Sequence, residues 1–344
     1  MSTTSSGHDE WRRTIAVALG ASVAVCVVVL AFLWPTVTST VRDIPVVVAG
    51  PAAEQVIPAV EEAAQGRLDL SPVADRDAAV AQIQQREAYG ALVLAPEPEV
   101  LVASAASPAV AQVLRAVAPQ LGAQAGAAVV VTDVVPLAAS DPNGTGLAAA
   151  GFPLMFGGLI GGIVISLAVR GTARRLVALG VYAVVGGLAV AAVLQPWLGV
   201  LQGDYLANAG AYALTFTSMA APIVGAAALV GRAGIALGPV VFMLFANPIA
   251  SAGAPTQYLP GAWGTVGQLF PPGASATLVR TLSYFPDAAT ARPLLVLTGW
   301  ALAGVALLLA AAAARRSSSP AVPAHTDPDA DPAGTPTAPH AAHA

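Results

Sequence analysis

The sequence contains no lysine, and all 15 of its basic residues are arginines. A Walker A loop requires the pattern G-x-x-x-x-G-K-[ST] to hold ATP, so the chain has no ATP site of this type. It also contains a single cysteine, Cys26, which excludes an intrachain disulfide and a cysteine-based metal site. Because Cys26 lies within a long apolar run, we expect it to be a small buried hydrophobic residue.

Charge is scarce throughout the chain. Only 10% of the 344 residues are charged and 56% are hydrophobic, whereas soluble domains carry charge on about a quarter of their residues. The mean hydropathy is +0.72, and several apolar runs reach the length of about 18 residues that suggests a bilayer-crossing helix. The composition predicts an α-helical polytopic membrane protein, with the lipid bilayer as its first partner.

Patterns that carry catalytic or metal chemistry are missing. The sequence has neither H-E-x-x-H nor G-x-S-x-G. Its four histidines lie near the two ends of the chain, at His8, His325, His340 and His343. The five apolar runs from residue 147 on contain no Asp, Glu, Lys, Arg or His, which argues against a proton-coupled carrier. We therefore expect a protein that is not an enzyme and that uses no cofactor, no metal and no nucleic acid.

What the chain does contain is one apolar run, then a long segment tolerant of polar residues, then five closely spaced apolar runs. The expected parts are a cytoplasmic N-terminus (1–13, disordered up to Glu10), a first transmembrane helix (14–34), an extracytoplasmic α/β domain (35–146), a five-helix transmembrane domain (147–314) and a disordered cytoplasmic tail (315–344). The five later spans are predicted at Leu147–Val169, Leu176–Leu198, Ala209–Val230, Ile235–Ile249 and Leu294–Ala314. The fold class is thus six transmembrane helices with an α/β domain between helices 1 and 2.

The first apolar run is about 20 residues long and ends in Trp34-Pro35, an interfacial aromatic followed by an expected helix stop. A secretory signal peptide has a shorter apolar core and a small-residue cleavage site. We therefore interpret the run as an uncleaved span, with a signal peptide as the alternative.

The segment 35–146 alternates strand-like and helix-like runs in the order β-α-β-α-β-β-α-β. It begins with the strand-like run Ile44–Ala49. Asp75 is the expected N-cap of a helix at Asp77–Ala88, and Ser107, which precedes a proline, is the expected N-cap of a later helix. A segment of about 100 residues can bury a core of its own. The pattern therefore predicts a small folded layer.

In the short loops and at the two ends of the predicted spans, the arginines lie on one side of the predicted topology. The segments expected inside carry Arg12, Arg13, Arg170, Arg174, Arg175, Arg232, Arg315 and Arg316. The loops expected outside carry Asp204 in the short loop, and Arg280, Asp287 and Arg292 in the long one. Short loops rich in arginine stay in the cytoplasm. The pattern predicts that both termini are cytoplasmic and that the α/β domain lies outside the cytoplasmic membrane of a bacterium.

Glycines in the second predicted span form two overlapping G-x-x-x-G patterns, at Gly157, Gly158, Gly161 and Gly162. This spacing lets two helices approach each other closely in lipid. We expect these glycines to pack helices within the chain, with dimerisation as the alternative.

A proline-rich stretch before the last span predicts two apolar helices that are too short to cross a membrane. We call residues 259–286 the hairpin, and its candidate site residues are Trp263, Pro271, Pro272, Gly273, Arg280 and Tyr284. Irregular backbone is tolerated at membrane depth only where protein or water covers it, so we expect the hairpin to lie in or dip into the outer leaflet. Trp263 and Tyr284 are its expected interfacial aromatics, and Arg280 a partner of a headgroup or a loop. An ordinary surface loop is the alternative.

Two features resemble the ABC-2 type permeases, particularly the YhgE/Pip-like bacterial membrane proteins and a related family of bacterial membrane proteins of unknown function. The first is the architecture over Arg12–Arg316, in which one span, an extracytoplasmic α/β domain and five spans follow one another. The second is a local pattern in the place where such permeases have a re-entrant hairpin. It consists of Asn247-Pro248, Leu259-Pro260, Leu269-Phe270-Pro271-Pro272-Gly273, Arg280 and Tyr284-Phe285.

The resemblance implies a permease subunit of an exporter that pairs as a homo- or heterodimer and is driven by a separate cytoplasmic ATPase subunit. However, the expected inside loops are short, at Arg170–Arg175 and Gly231–Gly234. Met1–Arg13 also barely contains the amphipathic helix that the resemblance implies before the first span. A non-transporting cell-envelope scaffold or binding protein, with the α/β domain as its interaction domain, is therefore the alternative function.

Overall fold

The structure is a computed structural model that describes residues 5–126 and 128–317. Five helices in these ranges are long and apolar enough to cross a membrane, as expected for a helical multi-pass membrane protein. They cover Asp9–Pro35, Thr145–Ala168, Thr172–Trp197, Tyr205–Ala236 and Ala291–Ser317.

The longest connections between helices and strands are residues 134–144 and residues 247–262, and the second contains the 3₁₀ helix Thr256–Tyr258. The helices are α1 (Ser5–Thr38), α2 (Ala53–Ala64), α3 (Arg76–Gln84), α4 (Pro108–Ala125), α5 (Thr145–Ala168), α6 (Thr172–Ala192), α7 (Tyr205–Val230), α8 (Trp263–Gly267), α9 (Pro271–Tyr284) and α10 (Ala291–Ser317). The strands are β1 (Ile44–Ala49), β2 (Leu68–Val73), β3 (Gly90–Val93), β4 (Glu99–Val102) and β5 (Val130–Asp133). A π-helical turn, Val193–Trp197, continues α6.

The five strands and helices α2 to α4 form the α/β domain, in the order predicted from the sequence. The strand order is β2-β1-β3-β4-β5, in which β3 and β4 are antiparallel and the other neighbours are parallel. Asp75 and Ser107 are N-caps, as predicted, and accept hydrogen bonds from Ala78 N (2.9 Å) and Val110 N (3.3 Å). Each cap satisfies a backbone donor that the helix itself leaves unpaired.

The two faces of the sheet are covered by different parts of the chain. On one face, α2 and α4 pack over Ile44, Val46 and Val48 of β1. On the other face, Val47 and Ala49 of β1 share a hydrophobic cluster with α3 and with Tyr284 and Phe285 at the end of α9. Because α9 also packs against α7 and α10, the α/β domain and the helical bundle share a core.

α7 is the central helix of the bundle and packs against α5, α6, α9 and α10. The apolar window of Tyr205–Ala236 is 61% buried, compared with 33% or less for the other four membrane-length helices. The window in α1 is 0% buried. α1 is attached near its C-terminal end, where Trp34 contacts Trp263 and the backbone N–H of Thr40 donates to Tyr258 O.

Three expectations for the first helix are wrong. The helix begins at Ser5, so Ser5–Glu10 is ordered, and it continues through Pro35 to Thr38. A proline removes one backbone donor, and here the helix tolerates that loss and forms the rest of its last turn. Cys26 is exposed rather than buried, because α1 stands apart from the bundle.

The predicted disordered tail lies outside the described residues from 318 on, and Arg315 and Arg316 belong to α10.

The predicted span Ile235–Ile249 is not an α-helix of membrane length. A 3₁₀ helix, Gly231–Ala236, is followed by a π-helical segment, Gly238–Ala246, so five helices in the described chain qualify as spans rather than six. Pro239, Pro248 and Gly238 interrupt the run, and a Cβ on Gly238 would overlap Ile223 of α7.

This interrupted segment nevertheless has a defined path through the bundle. Gly234 lies against the backbone of Ala226, near the end of α7. Further along, Gly238 contacts Ile223 and Leu159, and Ala252 contacts Gly151, near the start of α5. The chain from 231 to 253 therefore runs back along α7 and α5, from one end of the bundle to the other.

Candidate functional site

The hairpin penetrates the bundle. Pro271 and Pro272 begin α9, and near this corner Ser275 Oγ lies 2.7 Å from Thr215 Oγ1 of α7. Trp300 Nε1 of α10 donates to Leu269 O at 2.9 Å. Thr215 and Trp300 are ten and nine residues into their helices, or about 15 and 14 Å along them at 1.5 Å per residue. The corner of the hairpin therefore lies near the middle of the bundle.

Close backbone contacts hold the corner in shape. A Cβ on Gly273 would overlap Gly267 O, and a Cβ on Gly267 would overlap Ile249 O. Pro271 is buried, and Pro272 lines a small cavity of about 40 Å³ between α5, α7 and α9. Sequence reasoning selected Pro271, Pro272 and Gly273 for breaking a helix, and the structure brings them together at this packed turn.

A row of aromatic rings links α1 to α10 through the hairpin. Its neighbouring ring centroids lie 5.3 to 6.1 Å apart, within the usual range for aromatic pairs. In order, the rings are Trp34, Trp263, Phe245, Phe270, Trp300 and Phe242. Trp263, which is 39% exposed, thus joins the free first helix to the hairpin.

Tyr284 is buried at the far end of α9, with 9% of its surface exposed. Its hydroxyl donates to Val200 O at 2.6 Å, in the loop after α6. The preceding residue, Ser283, donates to Asn208 Oδ1 near the start of α7. Tyr284 therefore fastens the end of the hairpin to the bundle, a role different from that of an exposed interfacial aromatic.

Arg280 projects from α9 towards the α/β domain and is 8% exposed. Its Nη1 donates to Ala106 O at 3.1 Å, and its Nη2 donates to Ala252 O at 3.0 Å. Its Nε is buried without a hydrogen-bond partner, and no carboxylate pairs with it among the described residues. Burying an unpaired guanidinium is costly, so this side chain has unused capacity to bind an anion.

Arg86 reaches in the opposite direction, from the α/β domain to the hairpin. Its Nη1 donates to Thr277 O (3.1 Å) and to Thr281 Oγ1 (2.5 Å), and its guanidinium lies 5.3 Å from the ring centroid of Phe285. Within the described chain, no ion pair involves Arg86. Burial, with a smaller contribution from the charge of Arg280, lowers the pKa of Arg86 to about 10.

The backbone of Arg86 has an unusual conformation. Its φ of 63° is left-handed, at the position after α3 where glycine is preferred, and α3 consequently ends four residues before its predicted end at Ala88. Gly126 has the corresponding conformation after α4. A left-handed non-glycine residue costs about 1–2 kcal/mol, so contacts of the side chain must compensate. No sequence pattern distinguished Arg86 from the other arginines of the domain.

The two arginines line two neighbouring cavities that share several wall residues. A cavity of about 330 Å³ lies between the domain, the hairpin and the start of α10, with Arg86, Tyr89 and Arg292 on its wall. A smaller cavity of about 30 Å³ shares Arg86 and Tyr89 with it and is also lined by Arg280. Burial raises the pKa of the Tyr89 hydroxyl. The junction is therefore a polar, positively charged pocket beside an apolar bundle.

The four predicted packing glycines lie against α6 and α7 of the same chain. Gly157 and Gly161 meet Tyr182 and Phe216, whereas Gly158 and Gly162 meet Met219, Ala220 and Ile223. The Tyr182 hydroxyl also donates to Gly157 O. These glycines are remote from the two arginines and serve helix packing.

Among the described residues, no group of three histidine, cysteine or carboxylate side chains is placed to hold a metal. The side chains at the junction offer guanidinium, hydroxyl and amide groups, with one carboxylate at Glu87. Comparison of the chain with protein-family models, with curated proteins and with solved structures finds no match.

Proposed function

We propose that the chain is the permease subunit of an ABC-2-like exporter, which moves an unidentified substrate across the cytoplasmic membrane with a separate ATPase. The observation that carries the proposal is the hairpin, whose corner lies near the middle of the bundle beside Thr215 and Trp300. A re-entrant hairpin before the last span is what the resemblance to ABC-2 permeases implies. A simple membrane anchor would have no need for one.

The proposed topology has six crossings. The five membrane-length helices supply five, and the segment 231–253 supplies the sixth, because it returns along α7 and α5. Irregular backbone can cross at this place since the surrounding helices cover it. Six crossings put both termini on the arginine-rich cytoplasmic side and the α/β domain outside.

Labelling with a membrane-impermeant maleimide tests this topology. The native cysteine is first removed by Cys26→Ala, and single cysteines are then introduced at exposed positions. Asp69→Cys in the α/β domain is expected to react in intact cells, whereas Arg174→Cys at the start of α6 is expected to react only after permeabilisation. The reverse pattern would overturn the proposed sidedness.

Purification in mild detergent from the native host tests the transport proposal. A nucleotide-binding subunit is expected to co-purify, and ATP is expected to drive efflux after reconstitution of both proteins. Disrupting the hairpin corner by Gly267→Val should abolish efflux, whereas Gly180→Val in α6, where an added Cβ meets no atom within 4 Å and the backbone is not left-handed, should not prevent bundle packing. Absence of any nucleotide-binding partner would argue against an exporter.

A cell-envelope scaffold is the second candidate function. The end of the helical bundle opposite the α/β domain favours it, because the connections there are short. The turn between α5 and α6 spans residues 169–171, and Arg175 is engaged in it by donating to Val169 O and Ser166 O. The residues after α7 fold back onto Ala226. This face offers little surface for an ATPase. A scaffold should keep its cellular phenotype when the hairpin corner is disrupted but lose it when the α/β domain is replaced.

The proposed assembly is a dimer in which α1 takes part. The most apolar window of α1 is 0% buried within the chain, so its surface faces lipid or a second subunit. Oxidative cross-linking in membranes tests this assembly. Variants with one cysteine each along α1, including the native Cys26, are examined for disulfides between two copies of the chain. Cross-links restricted to one helical face would support a dimer. Uniform absence of cross-links would leave α1 surrounded by lipid and contradict this assembly.

A further inference from the structure

We infer that the junction between the α/β domain and the hairpin is a binding site for a phosphate-bearing anion, held directly by Arg86 and attracted by the positive charges of Arg280 and Arg292. This site goes beyond the proposed export function and requires no ATPase. Its placement at the outer membrane surface rests on the topology proposed above, whereas its chemistry does not.

The first argument is the charge of the junction. Arg86 and Arg280 are close enough to repel each other, and neither has an ion-pair partner among the described residues. Arg292 stands at the wall of the larger cavity, where Glu87 is the one carboxylate among the residues lining it. Three arginines against one carboxylate leave an excess of two positive charges. A phosphate monoester carries nearly two negative charges at neutral pH.

The second argument is the hydrogen-bonding capacity that remains. Both hydrogen bonds of Arg86 run from Nη1, which leaves the edge formed by Nε and Nη2 for a ligand. Guanidinium edges match phosphate and carboxylate oxygens with two parallel hydrogen bonds. Behind Arg86, the buried Nε of Arg280 lacks a partner. Tyr89 lines the same cavity, but its hydroxyl already donates to Gln257 Oε1 at 3.4 Å, so the free donors at this cavity are those of the guanidinium.

The third argument is space. The cavity of about 330 Å³ falls in the range of about 300–1,000 Å³ that is typical of small-molecule sites. The smaller cavity behind it, about 30 Å³, joins Arg86 to Arg280 and has no acidic side chain on its wall. An anion in the larger cavity would therefore contact Arg86 directly. Arg280, on the wall of the smaller cavity, would attract the anion without contacting it.

The fourth argument is the conformation of Arg86. An arginine occupies a left-handed position that glycine would fill without strain. The contacts of its guanidinium with Thr277, Thr281 and Phe285 offset this backbone cost and fix the side chain at the junction. The same side chain contacts α9 through Thr277 and Thr281, so a bound anion would sit where the domain meets the hairpin.

Thermal unfolding of the full chain in neutral detergent, titrated with inorganic phosphate against chloride at equal ionic strength, tests the inference. The wild-type midpoint should rise with phosphate. Arg86→Gln and Arg86→Gly should each weaken the apparent affinity about ten-fold or more, since each removes a charge-assisted contact. Arg67→Gln, which removes an exposed arginine of the same domain, is the matched control and should bind like the wild type.

The glycine variant adopts the left-handed backbone without strain, which guards against loss of folding. If neither Arg86 variant folds, Arg292→Gln at the cavity wall decides, and it should bind several-fold more weakly than the wild type. Three outcomes would each overturn the inference. They are an unchanged phosphate affinity in Arg292→Gln, an equal weakening of phosphate binding by Arg67→Gln, and a wild-type midpoint that does not respond to phosphate.

Nanodiscs distinguish the source of the phosphate group. If phosphatidylglycerol abolishes the response to inorganic phosphate and phosphatidylcholine does not, an anionic lipid headgroup occupies the site. If the response persists in both bilayers, the ligand is a soluble phosphate compound. The assay contains no ATPase. Phosphate binding can therefore be found even if the protein is not an exporter, and an exporter could be found even if phosphate does not bind.

Discussion

The α/β domain and the helical bundle are stabilised by different interactions. The two ion pairs found in the described chain, Arg76–Glu99 and Arg115–Asp133, both lie in the domain. The bundle instead relies on glycines at its helix crossings, such as Gly225 and Gly304 between α7 and α10. In lipid, apolar side chains gain nothing by leaving the solvent, so helices associate through close van der Waals contact. The difference matches a domain in water joined to a bundle in a membrane.

The largest effect is expected at the crossing of α7 and α10. A Cβ on Gly304 would overlap the backbone of Ala221 and Pro222, which cannot move as a flexible side chain can. Gly304→Ala should therefore destabilise the protein by roughly 3 kcal/mol, at the upper end of typical overpacking costs. The measurement is the thermal unfolding midpoint in detergent.

Gly299→Ala in the same helix is the matched control for Gly304→Ala. No atom lies within 4 Å of a Cβ at Gly299, so this substitution should leave stability unchanged or slightly raised. Equal midpoints for the two variants would mean that α7 and α10 are not packed as closely as described, and the contrast between bundle and domain would fail.

The two glycines also show how far the sequence can predict the fold. Gly157, Gly158, Gly161 and Gly162 have a recognisable spacing, and each faces a neighbouring helix. Gly299 and Gly304 lie in the same alanine- and leucine-rich helix, with no pattern that separates the buried one from the exposed one. Which face of α10 meets α7 depends on tertiary packing, and this information is not local.

In the domain, local signals predicted more of the structure. Caps such as Asp75 and Ser107 act within a few residues of themselves, so their chemistry can be recognised from the sequence. The candidate site was only half predicted for the same reason. Arg280 stood out within a proline-rich segment, whereas Arg86 gains its position through contacts with residues nearly 200 positions away.

An intermediate effect is expected at the joint between the two regions. Asp141 is 5% exposed and caps the start of α5 by accepting hydrogen bonds from Gly146 N (3.1 Å) and Leu147 N (3.0 Å), one with each carboxylate oxygen. Asp141→Ala should cost about 1–2 kcal/mol, and Asp141→Asn, which keeps one acceptor, less than that. Hydrogen exchange of the first turn of α5 measures the loss directly. Protection equal to the wild type in Asp141→Ala would show that the joint does not depend on this cap.

The smallest effect is expected at an ion pair of the domain. Glu99 accepts hydrogen bonds from Arg76 (2.6 Å) and from Thr132. The hydrogen bond from Arg76 is the largest cause that lowers the pKa of Glu99 below its ordinary value of 4.5. A carboxylate with a lowered folded-state pKa stabilises the protein above the unfolded-state pKa, and this stabilisation is lost as the pH falls through the folded-state value.

Glu99→Gln should therefore destabilise the protein by no more than about 0.5–1 kcal/mol at pH 7, because Arg76 is 45% exposed and solvent screens the pair. The difference from the wild type should shrink as the pH falls below 4.5, and denaturant titrations across that range provide the measurement. Glu97→Gln, which removes an exposed carboxylate without an ion pair in the described chain, is the matched control and should leave the free energy of unfolding at pH 7 unchanged. If Glu99→Gln differed from the wild type equally at all pH values, its effect would come from packing or from Thr132 rather than from charge. The domain would then resemble the bundle in relying on contact alone.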